Sequence, residues 1–506
     1  MSSERPPQDR GRTLRGVSEI RSFFRTNRTA IYFISPTPFN LLGMDRWARS
    51  FNYVSYYDCF DGGHPRVFVP TELEDREWKS MEEMNDYLLG HPEVFDLVRR
   101  KGPGKALFVM FDEEAEPLAA QLGLEIAHPS AELRNRLDSK IVTTQLGNEA
   151  GVPSVPNVLG RAATYQELAR VAEKAGLGED LVVQMPYGDS GKTTFFVRSE
   201  EDWEKYTAKH ALADEELKVM RRIRNRALAV EAVITRHGTV VGPIMADLTG
   251  HAELTPYKGG WCGNDVFPSV LTPEQRRRVG TLTQNLGERL KSEGYRGFFE
   301  TDFLLDLDTG ELYLGEMNPR LSGITSMTNV TAGAYADMPL FLFHLLEYMG
   351  IDYKINVDEI NERWAHDENV DVWGQAVIKQ TEAEVGLITA APRSGIWKMD
   401  ARGRVRFARE AIDWSDLDEG SEAFYLRIAG TGNYRYRGAD LGIFVTRGRL
   451  QTDDGTRLTE LCRRWIRGFK AQFASEPLPA SGSDQIEEPE LTSPMVKSAP
   501  GFGGGL

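Results

Sequence analysis

The chain has 506 residues, of which 41% are hydrophobic and 27% charged, and it carries a formal net charge of −15. At roughly 150 residues per domain that suggests about three domains, in a composition ordinary for a globular enzyme. No run of about 18 apolar residues occurs, which excludes a membrane-spanning helix, and the negative balance argues against a nucleic-acid partner.

The polar N-terminus, MSSERPPQDRGRTLRG, lacks the apolar stretch of a secretory signal. Cys59, Cys262 and Cys462 are odd in number and far apart, which fits neither a disulfide framework nor a paired metal motif. A reducing cytoplasm is the expected compartment. Cys262 stays open as a nucleophile beside its reading as a structural thiol.

Residues 1–28 are polar and Arg-rich and are expected to form a mobile arm that ends in a short helix around Val17 to Phe24. Thr29 to Ser35, near Asn52 to Tyr57, Val67 to Val69 and Ala106 to Phe111 read as strands, with helical spacing over Ser80 to Val98 between them. This predicts a Rossmann-like α/β domain over 29–128. A short helix is expected after Pro129, and another from Asp138-Ser-Lys140 to Gly151. Thr164 and Glu167 make a capping-box pattern. Strands are expected at Asp180 to Gln184 and Thr193 to Arg198. Thr272, Pro273 and Gln275 open a long helix to about Ser292, with Val279, Leu282, Leu286 and Leu290 on one face. Arg276, Arg277 and Arg278 on it read as a solvated basic face. From 371 the pattern becomes short strands closed by a helix at Thr456 to Phe473, a mostly β domain over 371–474. The Pro-, Ser-, Glu- and Gly-rich stretch 475–506 reads as a disordered tail.

Chemistry concentrates in Gly297 to Arg320. Two strands flank a turn at Asp308-Thr309-Gly310. Alternation places Glu300 and Asp302 on one face of the first strand, and Leu312, Leu314, Glu316 and Asn318 on one face of the second. Asp302, Glu316 and Asn318 can then converge among apolar neighbours, where buried carboxylates need a partner. Two carboxylates and an amide oxygen suit Mg²⁺ shared with phosphate oxygens. The alternative is the water-facing side of a hairpin.

The second segment is Gln184-Met-Pro-Tyr-Gly188-Asp189-Ser190-Gly191-Lys192. Pro186 occupies the first glycine position of a P-loop, and a strand follows Lys192 where a P-loop needs a helix, so that motif is rejected. A glycine-containing turn between two strands remains. Backbone N–H groups at Gly188, Ser190 and Gly191 can approach phosphate oxygens there, with Lys192 adding charge. An ordinary hairpin turn is the alternative.

Together the two segments resemble those of the ATP-grasp ligases, over about 29–470. The layout is similar to biotin carboxylase and the amino-acid ligases. The resemblance implies an ATP-grasp domain over 129–370, preceded by a pre-ATP-grasp domain. It implies that Lys140 contacts the ATP α-phosphate and that the turn Gly188, Asp189, Ser190, Gly191, Lys192 covers the β- and γ-phosphates. Lys218 to Ile223, with Met220 and Arg221, matches the hinge that reads adenine, and Glu231 matches a nucleotide contact. Asp302, Glu316 and Asn318 match the ligands of Mg²⁺, for which Mn²⁺ can substitute. Arg320 matches the arginine that holds the acyl phosphate. The family strand before the turn ends in a lysine, where this chain has Gln184. Biotin carboxylase follows its arginine with a Gln-Val-Glu-His run, where this chain has Leu321-Ser322-Gly323-Ile324-Thr325 and no base. Ser322 and Gly323 are therefore expected at the substrate.

The implied activity is ADP-forming ligation of a small carboxylate to an amine through an acyl phosphate, in a possible homodimer. A carboxylase that phosphorylates bicarbonate and a non-catalytic ATP-binding regulator are the alternatives. A polar, aromatic segment from His251 to Asp265 is expected to be a pocket loop, with Trp261 at the substrate. Arg435 and Arg437 are weighed as anion contacts against solvated charge.

Overall fold

The computed structural model describes residues 13–477 except 75–77, 189–192, 209–214, 336, 337, 367–370 and 419, and only the backbone of 332–335. The run Ala30–Ser35 is buried along its whole length. It lies in a five-stranded parallel sheet, between Phe51–Ser55 and Gly104–Phe108, with Val67–Phe68 and Leu124–Ile126 outermost. Strands covered on both faces read as continuous apolar runs, which is how AIYFIS is written. The helix expected over Ser80 to Val98 is two, Met81–Gly90 and Pro92–Lys101. His91 between them is extended, and Pro92 has no N–H to continue the first helix while suiting the first turn of the second.

The expected arm is corrected in its described part. Leu14–Arg15 pairs in parallel with Tyr353–Lys354, and the helix Gly16–Thr26 buries Ile20 and Phe24, one turn apart, in a core shared with Phe341 and Leu345. The rest of the arm and most of the expected tail lie outside the described residues. Of that tail, Ala474–Pro477 is a strand paired with Gly386–Ala390.

Among the described residues, a three-stranded antiparallel sheet of Tyr434–Arg435, Gly386–Ala390 and Ala474–Pro477 and two larger antiparallel sheets make the remainder. A four-stranded one runs in the order Asn157–Gly160, Leu217–Arg221, Leu181–Gln184, Thr194–Val197. The helices Tyr165–Lys174 and Glu200–Thr207 contribute Leu168, Ala172 and Trp203 to its core. A ten-stranded sheet begins at Leu312–Asn318 and Gly297–Asp306, and continues through Asn225–Thr235, Gly238–Thr249, Trp261–Val266 and Trp373–Lys379. It ends with Asp440–Arg447, Glu422–Arg427, Gly395–Met399 and Val405–Arg409. The boundary expected at 371 thus falls inside one sheet, because Trp261–Val266 and Trp373–Lys379 are hydrogen-bonded neighbours.

The helix Pro273–Ser292 carries the capping box read from its sequence, and its Val279, Leu282, Leu286 and Leu290 face is buried against this sheet. The basic face is corrected at one position. Arg276 is buried and its guanidinium donates to the Pro268 carbonyl at 2.6 Å. Among the described residues no helix is long and apolar enough to cross a membrane.

Candidate active site

The hairpin Gly297–Asp306 and Leu312–Asn318 brings its polar residues together by register. Glu300 stands opposite Asn318 and Asp302 opposite Glu316. A bulge at Gly315 shifts the ladder, so Phe303 faces Leu314 and Leu305 faces Leu312. The expectation that Leu312 and Leu314 share a face with Glu316 is therefore corrected. The extra residue turns the leucines into the core with Phe299 and Met317 and leaves the acids on the other face.

Burial works against charge on that face. Desolvation pushes the Glu300 carboxyl up to about 7 against the lowering effect of its hydrogen bond with Asp302, and desolvation with the charges of Glu300, Glu316 and Asp247 holds Asp302 well above the usual carboxylate range. Asp302 Oδ2 is buried and has no hydrogen-bond partner among the described residues. Glu316 is paired instead, its Oε2 lying 2.5 Å from Lys140 Nζ. Asn318 is held from two sides. Its Nδ2 donates to Glu300 Oε2 at 2.9 Å, and its Oδ1 accepts from Arg320 Nη2 at 2.8 Å. Arg320 Nε lies 3.8 Å from Asp138 Oδ1.

Lys140 opens the helix Lys140–Glu149, whose cap is Ser139. Its backbone N–H donates to Pro186 O at 2.8 Å and its ammonium to Gly188 O at 3.4 Å, which ties the glycine turn to the hairpin acids. Gly188 has φ +143°, and a Cβ there would lie 2.1 Å from Thr193 Oγ1, so only glycine fits. Asp189, Ser190, Gly191 and Lys192 lie outside the described residues.

Gln184 is buried and donates from Nε2 to Thr194 Oγ1 at 3.2 Å, and its Oε1 has no partner among the described residues. Directly opposite it on the next strand stands Lys218, 1% exposed, whose Nζ donates to Gly315 O at 3.2 Å. Burial, with Lys140 nearby, pushes the Lys218 ammonium down to about 7. Sequence reasoning missed this residue as a site group, reading it only as the start of the hinge. The alternation Leu217-Lys218-Val219-Met220, a lysine inside an apolar strand, was the available signal. Met220 is buried beside Val155, Val182 and Leu304, and Arg221 is exposed.

Glu231 is fully buried and committed to the segment after Arg320. It accepts from Ser322 Oγ at 3.0 Å and from Thr325 Oγ1 at 2.5 Å, and burial pushes its carboxyl up to about 8. Ser322 thus serves Glu231, while the Gly323 carbonyl accepts from Gln375 Nε2 at 2.9 Å. The expected pocket loop is corrected. Trp261–Val266 is a buried strand, Trp261 packs in a core cluster with Ile324 and Met327, and its indole N–H donates to Asn264 Oδ1 at 3.1 Å. Asn264 in turn donates to Asp247 Oδ1 at 2.6 Å, a carboxylate sequence reasoning also missed. Cys262 is buried, its thiol donates to Leu248 O, and burial pushes it up to about 12, which removes the nucleophile reading. Arg435 lies on the short strand Tyr434–Arg435, away from the hairpin sheet.

Among the described residues no three His, Cys, Asp or Glu side chains form a metal cage by themselves. The unpartnered Asp302 oxygen, the adjacent Glu316 and the fixed Asn318 amide nevertheless suit a hard cation completed by other oxygens.

No protein-family model matches the sequence. The 2-oxoglutarate carboxylase small subunit of Hydrogenobacter thermophilus is 23% identical over 297 residues, which is 54% of this chain and 60% of that protein. The matches span from 18% to 60% of the length of the curated relatives found. Among solved structures, the biotin carboxylase domain dimer of the Hydrogenobacter enzyme, in complex with MgADP, ADP and bicarbonate, superposes with a TM-score of 0.55. It is 13% identical, over 89% of this chain and 91% of that one. Phosphoribosylamine–glycine ligase of Thermotoga maritima superposes with a TM-score of 0.53 at 13% identity, over 88% and 98%. Along nearly its whole described length the chain has the ATP-grasp fold, in the arrangement of biotin carboxylase.

Proposed function

We propose that the chain is an ATP-dependent, ADP-forming ligase that joins a small carboxylate to an amine through an acyl phosphate. The observation that carries this reading is the convergence of Asp302, Glu316, Asn318 and Arg320 on one sheet face, tied by Lys140 to the glycine turn. Mg²⁺ at Asp302, Glu316 and the Asn318 amide would offset negative charge on the ATP phosphates. The substrate carboxylate attacks the γ-phosphorus, ADP leaves, and the amine then attacks the acyl carbon and expels phosphate. Lys140 steadies the phosphates from the helix side. Arg320 holds the developing oxyanion.

The run Leu321 to Thr325 after Arg320 carries no acidic or imidazole side chain, and its two hydroxyls, Ser322 and Thr325, bond Glu231, so the run itself offers no base for bicarbonate. The carboxylase reading is nonetheless favoured by three of the relatives, which are carboxylases or carboxylase subunits, and by the bicarbonate in the Hydrogenobacter complex. That neighbour is a dimer, and we take a homodimer in a reducing cytoplasm as the working state of this chain.

The test is ADP release from MgATP with mass spectrometry of the products. One arm holds pooled amino acids and small carboxylates, the other bicarbonate and biotin. ADP with a new mass equal to acid plus amine minus water is the expected result. ADP in the bicarbonate and biotin arm alone makes the chain a carboxylase. Nucleotide binding without ADP in either arm makes it a regulator.

A further inference from the structure

We propose that Lys218 supplies to the nucleotide's phosphates the positive charge that Gln184 lacks, so that this cation has moved across one strand of the sheet. The inference rests on the ATP reading of the site.

Gln184 and Lys218 are directly opposed in an antiparallel pair, and opposed residues project to the same face with Cβ atoms about 5 Å apart. A lysine at either position therefore reaches the same space. On that face lie Lys140, bonded to Glu316 and Gly188 O, and the bulged Gly315, whose carbonyl holds Lys218.

The bonding of Lys218 is unusual for its burial. It is 1% exposed, and among the described residues its ammonium meets a neutral carbonyl, not a carboxylate. The nearest acid, Glu316, has its Oε2 taken up by Lys140 at 2.5 Å. A buried ammonium without a counter-ion is costly, and the cost is removed when an anion enters. Among the described residues Lys140 and Lys218 act on the same carboxylate, Glu316, and a polyphosphate entering beside Gly188 would supply the second cation with an anionic partner.

The experiment compares wild type, Lys218→Gln, and the exchange variant Lys218→Gln/Gln184→Lys in the full chain. Calorimetric binding of MgADP and of adenosine, which carries no phosphate, is measured with the melting temperature of each. Loss of a charged hydrogen bond predicts MgADP binding weaker by on the order of tenfold to a hundredfold in Lys218→Gln. Adenosine binding stays unchanged, and the exchange variant recovers MgADP affinity. If the glutamine variant does not fold, Lys218→Met, of similar shape and without the desolvation cost, replaces it in the comparison. Equal MgADP affinity in wild type and variant overturns the inference and leaves the ATP reading standing. So does a loss that the exchange does not restore, since a structural tie would behave that way. Failure of the wild type to bind MgADP overturns the ATP reading itself.

Discussion

Asn318 keeps its amide plane through Glu300 as well as Arg320, and that makes the arginine a separable part of the site. Arg320→Ala removes the group proposed to hold the acyl oxyanion but leaves Glu300 to orient Asn318. Ligase turnover should fall by at least about a hundredfold, the scale of one lost oxyanion donor, while MgADP binding changes by only a few-fold. Equal losses in turnover and binding would refute this division of labour. Glu231 gives a pH signature. Its carboxyl is raised from the usual 4.5 to about 8, so the folded protein favours its protonated form. Stability from this group is full below about 4.5 and is lost as pH rises toward 8, at up to ~1.4 kcal/mol per pH unit. Glu231→Gln keeps an oxygen for Ser322 and Thr325 and does not ionise, so unfolding between pH 5 and 8 should show a slope shallower by about that amount. The acids of the hairpin were legible in sequence because alternation and spacing fix them locally. Lys218 and Asp247 were not, because their roles come from register with strands distant in the chain.

The helix Lys140–Glu149 and the hairpin meet at Gly147, and the spacing between them positions Lys140 against Glu316. A Cβ on Gly147 would lie 2.6 Å from Leu314 Cδ2 and 3.0 Å from the Val152 carbonyl. Leu314 is fully buried, so it has no room to retreat. Gly147→Ala, ordinarily favourable in a helix, should here destabilise by about 1–3 kcal/mol through overpacking and lower the melting temperature. A melting temperature equal to or above wild type would show that the interface yields. Helix starts were well read, since Ser139, Thr164 and Thr272 each cap through local side-chain bonds. Two readings failed for non-local reasons. The bulge at Gly315 moved Leu312 and Leu314 to the core face, and nothing in the alternation of LYLGEMN marks it. The segment containing Trp261 looked like a loop because its glycines and polar groups are poor strand formers. Its flanking strands Gly238–Thr249 and Trp373–Lys379 impose the extended form by pairing on both edges.

Across the whole molecule, the expected division into separate domains at 371 meets a sheet that does not stop there. One core cluster joins Phe39 and Leu42 from the first layer, Trp261, Ile324 and Met327 from the middle of the chain, and Trp373, Phe424 and Ile443 from beyond 371. The ion pair of Arg427 with Asp61, bidentate at 2.8 and 2.6 Å, spans the same junction. Composition signalled the change to short strands correctly, but composition reports local propensity and carries no record of which edge a strand joins. Ending the chain at residue 370 would strip Trp261–Val266 of its neighbour, leave a buried strand edge unpaired, and open the shared core. Exposed edges of that kind template aggregation. The full chain should therefore unfold in one cooperative thermal transition. A product ending at 370 should elute from a sizing column as aggregate, with the near-ultraviolet signal of packed aromatic residues lost. A monomeric product with a native-like spectrum and its own sharp transition would mean that the sheet is divisible at 371. The active-site hairpin would then draw no support from the strands beyond it.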